Sequence, residues 1–284
     1  MSQPREHTLP ANAALSAGNT SQQAARPRRP LAAWQWSSLS IVSLLLAWWA
    51  LSASALVPAL FLPSPAAVAA KFHTLITQGY MDATLQQHLA ASLQRMLLAL
   101  LAAVAVGVPL GVLIGSFPLL RHWLDPVIEF YRPLPPLAYL PLIVIWFGIG
   151  EFSKVLLIFL AILAPVLIAT THGVASVHHI RQQAALSLGA SRRQLLWHVM
   201  LPGALPDILT GIRIGLGAGW STLVAAELVA ATRGLGFMVQ SAAQFLGTDI
   251  VVLGIIVIAL VAFSLELALR RLQRALTPWH GKAL

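Results

Sequence analysis

Between residues 36 and 269 the chain reads as a succession of apolar blocks separated by short polar gaps. Six blocks stand out, at 36–56, 92–114, 137–149, 153–171, 208–230 and 250–269. About 20 apolar residues in a helix cross a hydrocarbon core of about 30 Å. The pattern therefore predicts an all-α integral membrane protein with about six transmembrane helices. The third block is the shortest, and Pro133, Pro135, Pro136 and Pro141 crowd its start. It is expected to extend back towards Val127 and to kink or break at Pro141, because an interior proline removes a backbone hydrogen bond. Residues 1–33 are polar and rich in Pro, Ala, Gln and Arg, and are expected to be a disordered cytoplasmic tail. Residues 34–284 then form one transmembrane domain. Ser52-Ala53-Ser54-Ala55 resembles a leader-cleavage site, but the polar lead is too long and the apolar run too extended for a leader, so an uncleaved first span is expected.

Composition agrees with a lipid environment: 58% of residues are hydrophobic and 10% charged, against about 25% charged in soluble domains. A net charge of +9 would suit nucleic acid. The basic residues instead fall in the gaps between apolar blocks, without an aromatic-interleaved patch, so no nucleic-acid partner is expected. With the N-terminus placed in the cytoplasm, thirteen Lys and Arg fall on the inner side and three on the outer. This bias predicts both termini inside and an even number of spans. Trp34, Trp36 and Trp279 suit membrane–water interfaces. The absence of cysteine excludes disulfides and Cys-based zinc sites.

Polar residues within apolar blocks are the first candidates for chemistry. Glu227, with Ser221 and Thr222 ahead of it, either lines a translocation pathway or pairs with Arg233 near the interface. Arg95 either attracts an anionic solute or extends to the headgroups. Arg213 lies six residues after Asp207, a spacing that does not pair on one helix face, and is expected at the inner interface. Asp249 suits the start of the last helix. Gly211, Gly215, Gly217, Ala218 and Gly219 permit close helix approach, within the chain or against a second copy. His178 and His179 are adjacent and face different ways, so no metal site, cofactor or catalytic cluster is expected.

The gap between the fourth and fifth blocks, residues 173–206, is too polar to span and too long for a turn. Helical patterning over 181–188 and 191–200 flanks Gly189, which can take the positive φ of a tight turn. Pro202 and Pro206 are expected to end the second stretch. The result is a helix–turn–helix knob protruding into the cytoplasm. Residues 183–202 read Gln183-Ala184-Ala185, three residues, Gly189, nine residues, then Val199-Met200-Leu201-Pro202. This resembles the E-A-A-x3-G-x9-I-x-L-P signature of ABC importer permeases, with Gln183 in place of the acid and Val199 in place of Ile.

The likeness extends over most of the chain. YRPLPPLAYLP at 131–141, WFGIG at 146–150, GWSTLVAAE at 219–227 and ATRGLGFM at 231–238 are similar to the taurine and aliphatic-sulfonate branch of those permeases. LTPWHG at 276–281 is similar to taurine permeases in particular. The resemblance implies a type I importer architecture in a bacterial inner membrane. It also implies a pair of ATP-binding subunits, an external solute-binding protein and a second permease copy. The knob, through Gln183, Ala184, Ala185, Gly189, Arg192, Arg193, Leu201 and Pro202, would then couple to the ATPase. The chain has no G-x-x-x-x-G-K-[ST] loop; Gly281-Lys282 is followed by Ala283. ATP hydrolysis is therefore expected from a separate chain. Competing readings are a permease for nitrate or another small organic anion, an ion-coupled secondary transporter, and a membrane enzyme. A secondary transporter would favour paired repeats and midplane acids, where only Glu227 is a candidate and no repeat is visible.

Overall fold

The computed structural model describes residues 33–54 and 56–279. The expected tail, apart from Ala33, lies outside the described residues, as do His280, Gly281 and Lys282. The chain divides into residues 1–46 and residues 47–284. Within the first, the described residues begin α1 (Ala33–Ala53), whose apolar side chains from Trp36 to Leu46 are exposed. The remaining helices are α2 (Pro65–Thr77), α3 (Leu85–Ser116), α4 (Pro118–Tyr131), α5 (Leu140–Phe147), α6 (Glu151–Ala175), α7 (His179–Ser187), α8 (Arg192–Leu195), α9 (Leu201–Ala230), α10 (Leu235–Gln244) and α11 (Thr248–Leu276). No strand occurs among the described residues.

Helices α3, α6, the α8–α9 continuum and α11 are long and apolar enough to cross a membrane. The third expected span is not one helix. A 3-10 turn at Pro136–Tyr139 leads into α5, which has 8 residues, and Val127 belongs to the separate α4. Pro133, Pro135 and Pro136 supply no backbone N–H, and three missing donors within four residues interrupt the helix where a single interior proline would not. Pro141 instead occupies the first turn of α5, where the missing donor costs nothing.

The core is a three-helix layer with α6 in the middle. Helix α3 runs parallel to α6 and α9 runs antiparallel to it, and small residues set how closely they approach. A Cβ at Gly107 would touch Val166 at 3.0 Å, one at Gly111 would touch Thr170 at 2.6 Å, and one at Gly115 would touch Val174 at 2.9 Å. On the other side, Gly211 faces Ala169 and Pro165, while Gly215 and Gly219 face Ile162. These glycines of α9 therefore pack within the chain. Gly217, pointing elsewhere, has nothing within 4 Å of an added Cβ. Met96, Ile158, Ile162, Val166 and Leu223 fill the layer and are buried. A second cluster joins α2, the start of α3, α10 and α11 around Leu75, Leu235 and Met238.

Gly211→Val is expected to push α6 and α9 apart at a cost of about 1–3 kcal/mol. Thermal denaturation in detergent should show a lower midpoint than wild type, whereas Gly217→Ala should leave it unchanged.

Candidate coupling loop and buried charge cluster

The chain turns at the end of α7 by a Schellman arrangement, which satisfies helix-end carbonyls with backbone donors. Gly189 has φ of +84°, its N–H donates to the Leu186 carbonyl at 2.9 Å, and Ala190 N–H donates to the Ala185 carbonyl at 3.0 Å. Ser191 then caps α8 in a reciprocal box with Gln194. The knob is thus two short helices around a turn that requires a left-handed residue. Gln183, Ala184, Gly189, Arg192 and Arg193 are exposed; Ala185, Leu201 and Pro202 are half-buried. Leu188 at the tip is 89% exposed, with Trp197 and Leu186 also exposed beside it.

Pro202 and Pro206 do not end the second helix. Residues Leu196–Met200 form a π turn, and α9 continues from Leu201 to Ala230 with Pro206 inside it. In the π turn the Leu201 N–H donates to the Leu196 carbonyl, one residue further back than in an α-helix. This widening accommodates Pro202, which has no N–H to give. The knob therefore joins α9 without a break.

Glu227 lies at the opposite end of α9, twenty-six residues from Leu201, or about 39 Å at 1.5 Å per residue. It is fully buried. Its Oε1 accepts from Ser92 Oγ and from Arg95 Nη1, each at 2.7 Å, and its Oε2 accepts from Gly236 N at 2.8 Å. Arg95 does not extend to solvent: it is 4% exposed, and pairs bidentately with Glu151 at 2.6 and 2.8 Å. Its Nη1 also donates to the carbonyl of Arg233 at 2.7 Å. Glu227 thus pairs with Arg95, and Arg233 contributes its backbone. Lys154 completes the cluster on Glu151 at 2.9 Å.

Three successive N–H groups at the start of α10 dock on the same cluster: Gly234 on His88 Nδ1, Leu235 on Ser92 Oγ and Gly236 on Glu227. Because Nδ1 accepts, His88 Nε2 carries the proton and donates to the Tyr80 carbonyl at 3.3 Å. Any Cβ on Gly234 would collide with the Glu227 carboxylate. His88, Ser92 and Arg95 were not read as a set, although their i, i+4, i+7 spacing in an apolar helix places them on one face.

Of the other expected pathway residues, Thr222 is buried. Ser221 is exposed and donates to its own helix at Ala218. It continues the face of α9 that carries Asp207, Thr210, Ile214 and Ala218. Those four line a cavity of about 470 Å³ together with residues of α6 and of the Tyr131–Tyr139 segment. Arg213 faces away, to Glu266 at 3.0 Å and Gln273 at 3.2 Å on α11. Asp249 lies in the first turn of α11 and pairs with Lys71 at 3.3 Å.

Removing one partner from a buried charge pair leaves the other uncompensated and costs about 3–5 kcal/mol. Arg95→Met and Glu227→Gln should each lower the denaturation midpoint in detergent, and the double variant should lose clearly less than the sum of the two.

Residues 107–278 match the family described as the binding-protein-dependent transport system inner membrane component. The chain is 62% identical over 258 residues to the taurine transport system permease protein TauC of Escherichia coli K12, covering 88% of this chain and 94% of the relative. It is 36% identical over 275 residues to the putative aliphatic sulfonates transport permease protein SsuC of Bacillus subtilis, covering 96% and 98%. Among solved structures, an inward-facing form of the MetNI methionine ABC transporter superposes with a TM-score of 0.60 at 16% identity, over 73% of this chain and 98% of that one, a likeness of fold. With a continuous knob-to-α9 helix, a buried charge cluster in an apolar bundle and these relatives, the chain belongs to the inner-membrane permease components of binding-protein-dependent ABC importers.

Proposed function

We propose that this permease imports taurine or a closely related sulfonate, and that the exposed knob docks in a groove of a separate ATPase. The observation that carries the coupling is the unbroken path from Ser191 through the π turn to Ala230. A knob moved by the ATPase would displace α9 as a whole, and through its glycine contacts α6 and α3 as well. That is a rigid element biased between two arrangements. Taurine as solute is supported by the extent of the likeness to the TauC relative. The Lys and Arg bias supports a knob and termini on the cytoplasmic side. A second copy of this chain completes the pathway, and an external binding protein delivers the solute. Exposed Leu188, Trp197, Arg192 and Arg193 give the knob an apolar tip with a basic flank for the ATPase groove.

Cells lacking only this chain should lose uptake of labelled taurine and regain it with the restored gene. Unchanged uptake, with no second taurine system active, would move the solute to other sulfonates or nitrate. Gly189→Val should uncouple ATP hydrolysis from uptake, since nothing lies within 4 Å of an added Cβ and only the +84° backbone excludes a β-branched residue. Gly189→Asn, which tolerates that conformation, should retain most of the uptake.

A further inference from the structure

Charges inside the long helices of this chain are expensive in lipid and are mostly neutralised locally. Arg95, Glu151, Lys154 and Glu227 share one cluster; Arg213, Glu266 and Arg270 share another; Asp249 meets Lys71. Asp207 stands apart. It lies in the second turn of α9, half-buried, and no side chain or backbone donor among the described residues reaches its carboxylate. Arg132, in the segment that follows α4, is exposed and has no partner among the described residues.

Both line the cavity of about 470 Å³, whose other polar groups include His172, Thr210 and Tyr139 and whose remaining walls are largely aliphatic. An apolar recess with a few placed polar groups is the usual form of a small-molecule site. The Asp207 position is also built: a Cβ on Gly173 would stand 2.7 Å from Asp207 Cβ and 3.1 Å from its Oδ2. Only glycine at 173 leaves the carboxylate its place against α6. A half-buried carboxylate and an exposed guanidinium on one cavity, neither paired with the other nor with another side chain among the described residues, match a molecule that carries both signs.

The geometry points to this cavity as a transit site for a zwitterionic aminoalkanesulfonate, with Asp207 receiving the ammonium and Arg132 the sulfonate. The inference rests on the sulfonate reading of the solute and deepens it. The permease itself, and not only the external binding protein, distinguishes sulfonates that carry an amino group from those that do not. A guanidinium offers parallel N–H donors to an oxyanion of any sulfonate, so Arg132 serves both kinds. Asp207 attracts only the amino kind.

The test uses the complete transporter in proteoliposomes, comparing uptake of taurine and of isethionate, the same skeleton with hydroxyl for amine, at concentrations at which the wild type imports both. Asp207→Asn should lower taurine uptake about tenfold with isethionate uptake maintained, and Asp207→Glu should restore part of the taurine uptake. Gly173→Ala, which keeps the carboxylate but displaces it, should show the same selective loss. Arg132→Gln should lower both solutes together. An unchanged taurine-to-isethionate ratio in Asp207→Asn and Gly173→Ala, at equal protein per vesicle, would overturn the inference while leaving the sulfonate importer intact. Absence of taurine uptake in the wild type would instead overturn the solute assignment, and this inference with it.

Discussion

A guanidinium within an apolar bundle is tolerable only when its donors are used and its charge is matched. Arg95 meets that condition from three directions. Glu151 at the start of α6 takes two of its bonds, Glu227 near the end of α9 takes one, and the carbonyl of Arg233 takes another. The same carboxylate of Glu227 receives Ser92 and the backbone of α10. One side chain thereby ties α3, α6, α9 and the return loop at the end of the bundle remote from the knob. Losing it would leave the buried Glu227 without a counter-charge, and the more exposed Glu151 with Lys154 alone.

Below that clasp the bundle is held by proximity rather than by charge. In lipid, helices gain no hydrophobic advantage from meeting each other, so packing and small residues decide where they meet. Glycines four residues apart on α3 and α9 let both helices press on α6 from Ile162 to Val174. A layer clasped at one end and tightly packed along its length is suited to move as a body when pushed at the other end. The π turn before Pro202 matters for the same reason: a broken helix there would absorb the push instead of passing it on.

The knob was legible because its signals are local. Gly189 requires a particular φ, and helical patterning runs on both sides of it. The long spans were legible for the same reason, through length and hydropathy. The third was misread because hydropathy ignores donors; three prolines in four residues separate α4 from α5 however apolar their surroundings. Pro202 was misread in the opposite sense, since proline in the first turn of a helix is compatible with continuation when the preceding turn widens. Glu227 and Arg95 stand 132 positions apart, and no local pattern joins residues at such a separation. Lone buried charges of opposite sign in an apolar chain were the available hint, because each needs a partner that the rest of the bundle must provide.

If the knob passes ATPase motion to α9, its tip must touch the ATPase during transport. The natural chain has no cysteine, so Leu188→Cys, at the exposed tip, places one thiol there for a maleimide-linked photoreactive group. In the assembled, transport-active complex, illumination should join this chain to the ATPase subunit, and the joined complex should lose uptake. Efficient labelling with no adduct to the ATPase, in a complex that still hydrolyses ATP and imports solute, would show that the knob is not the coupling element.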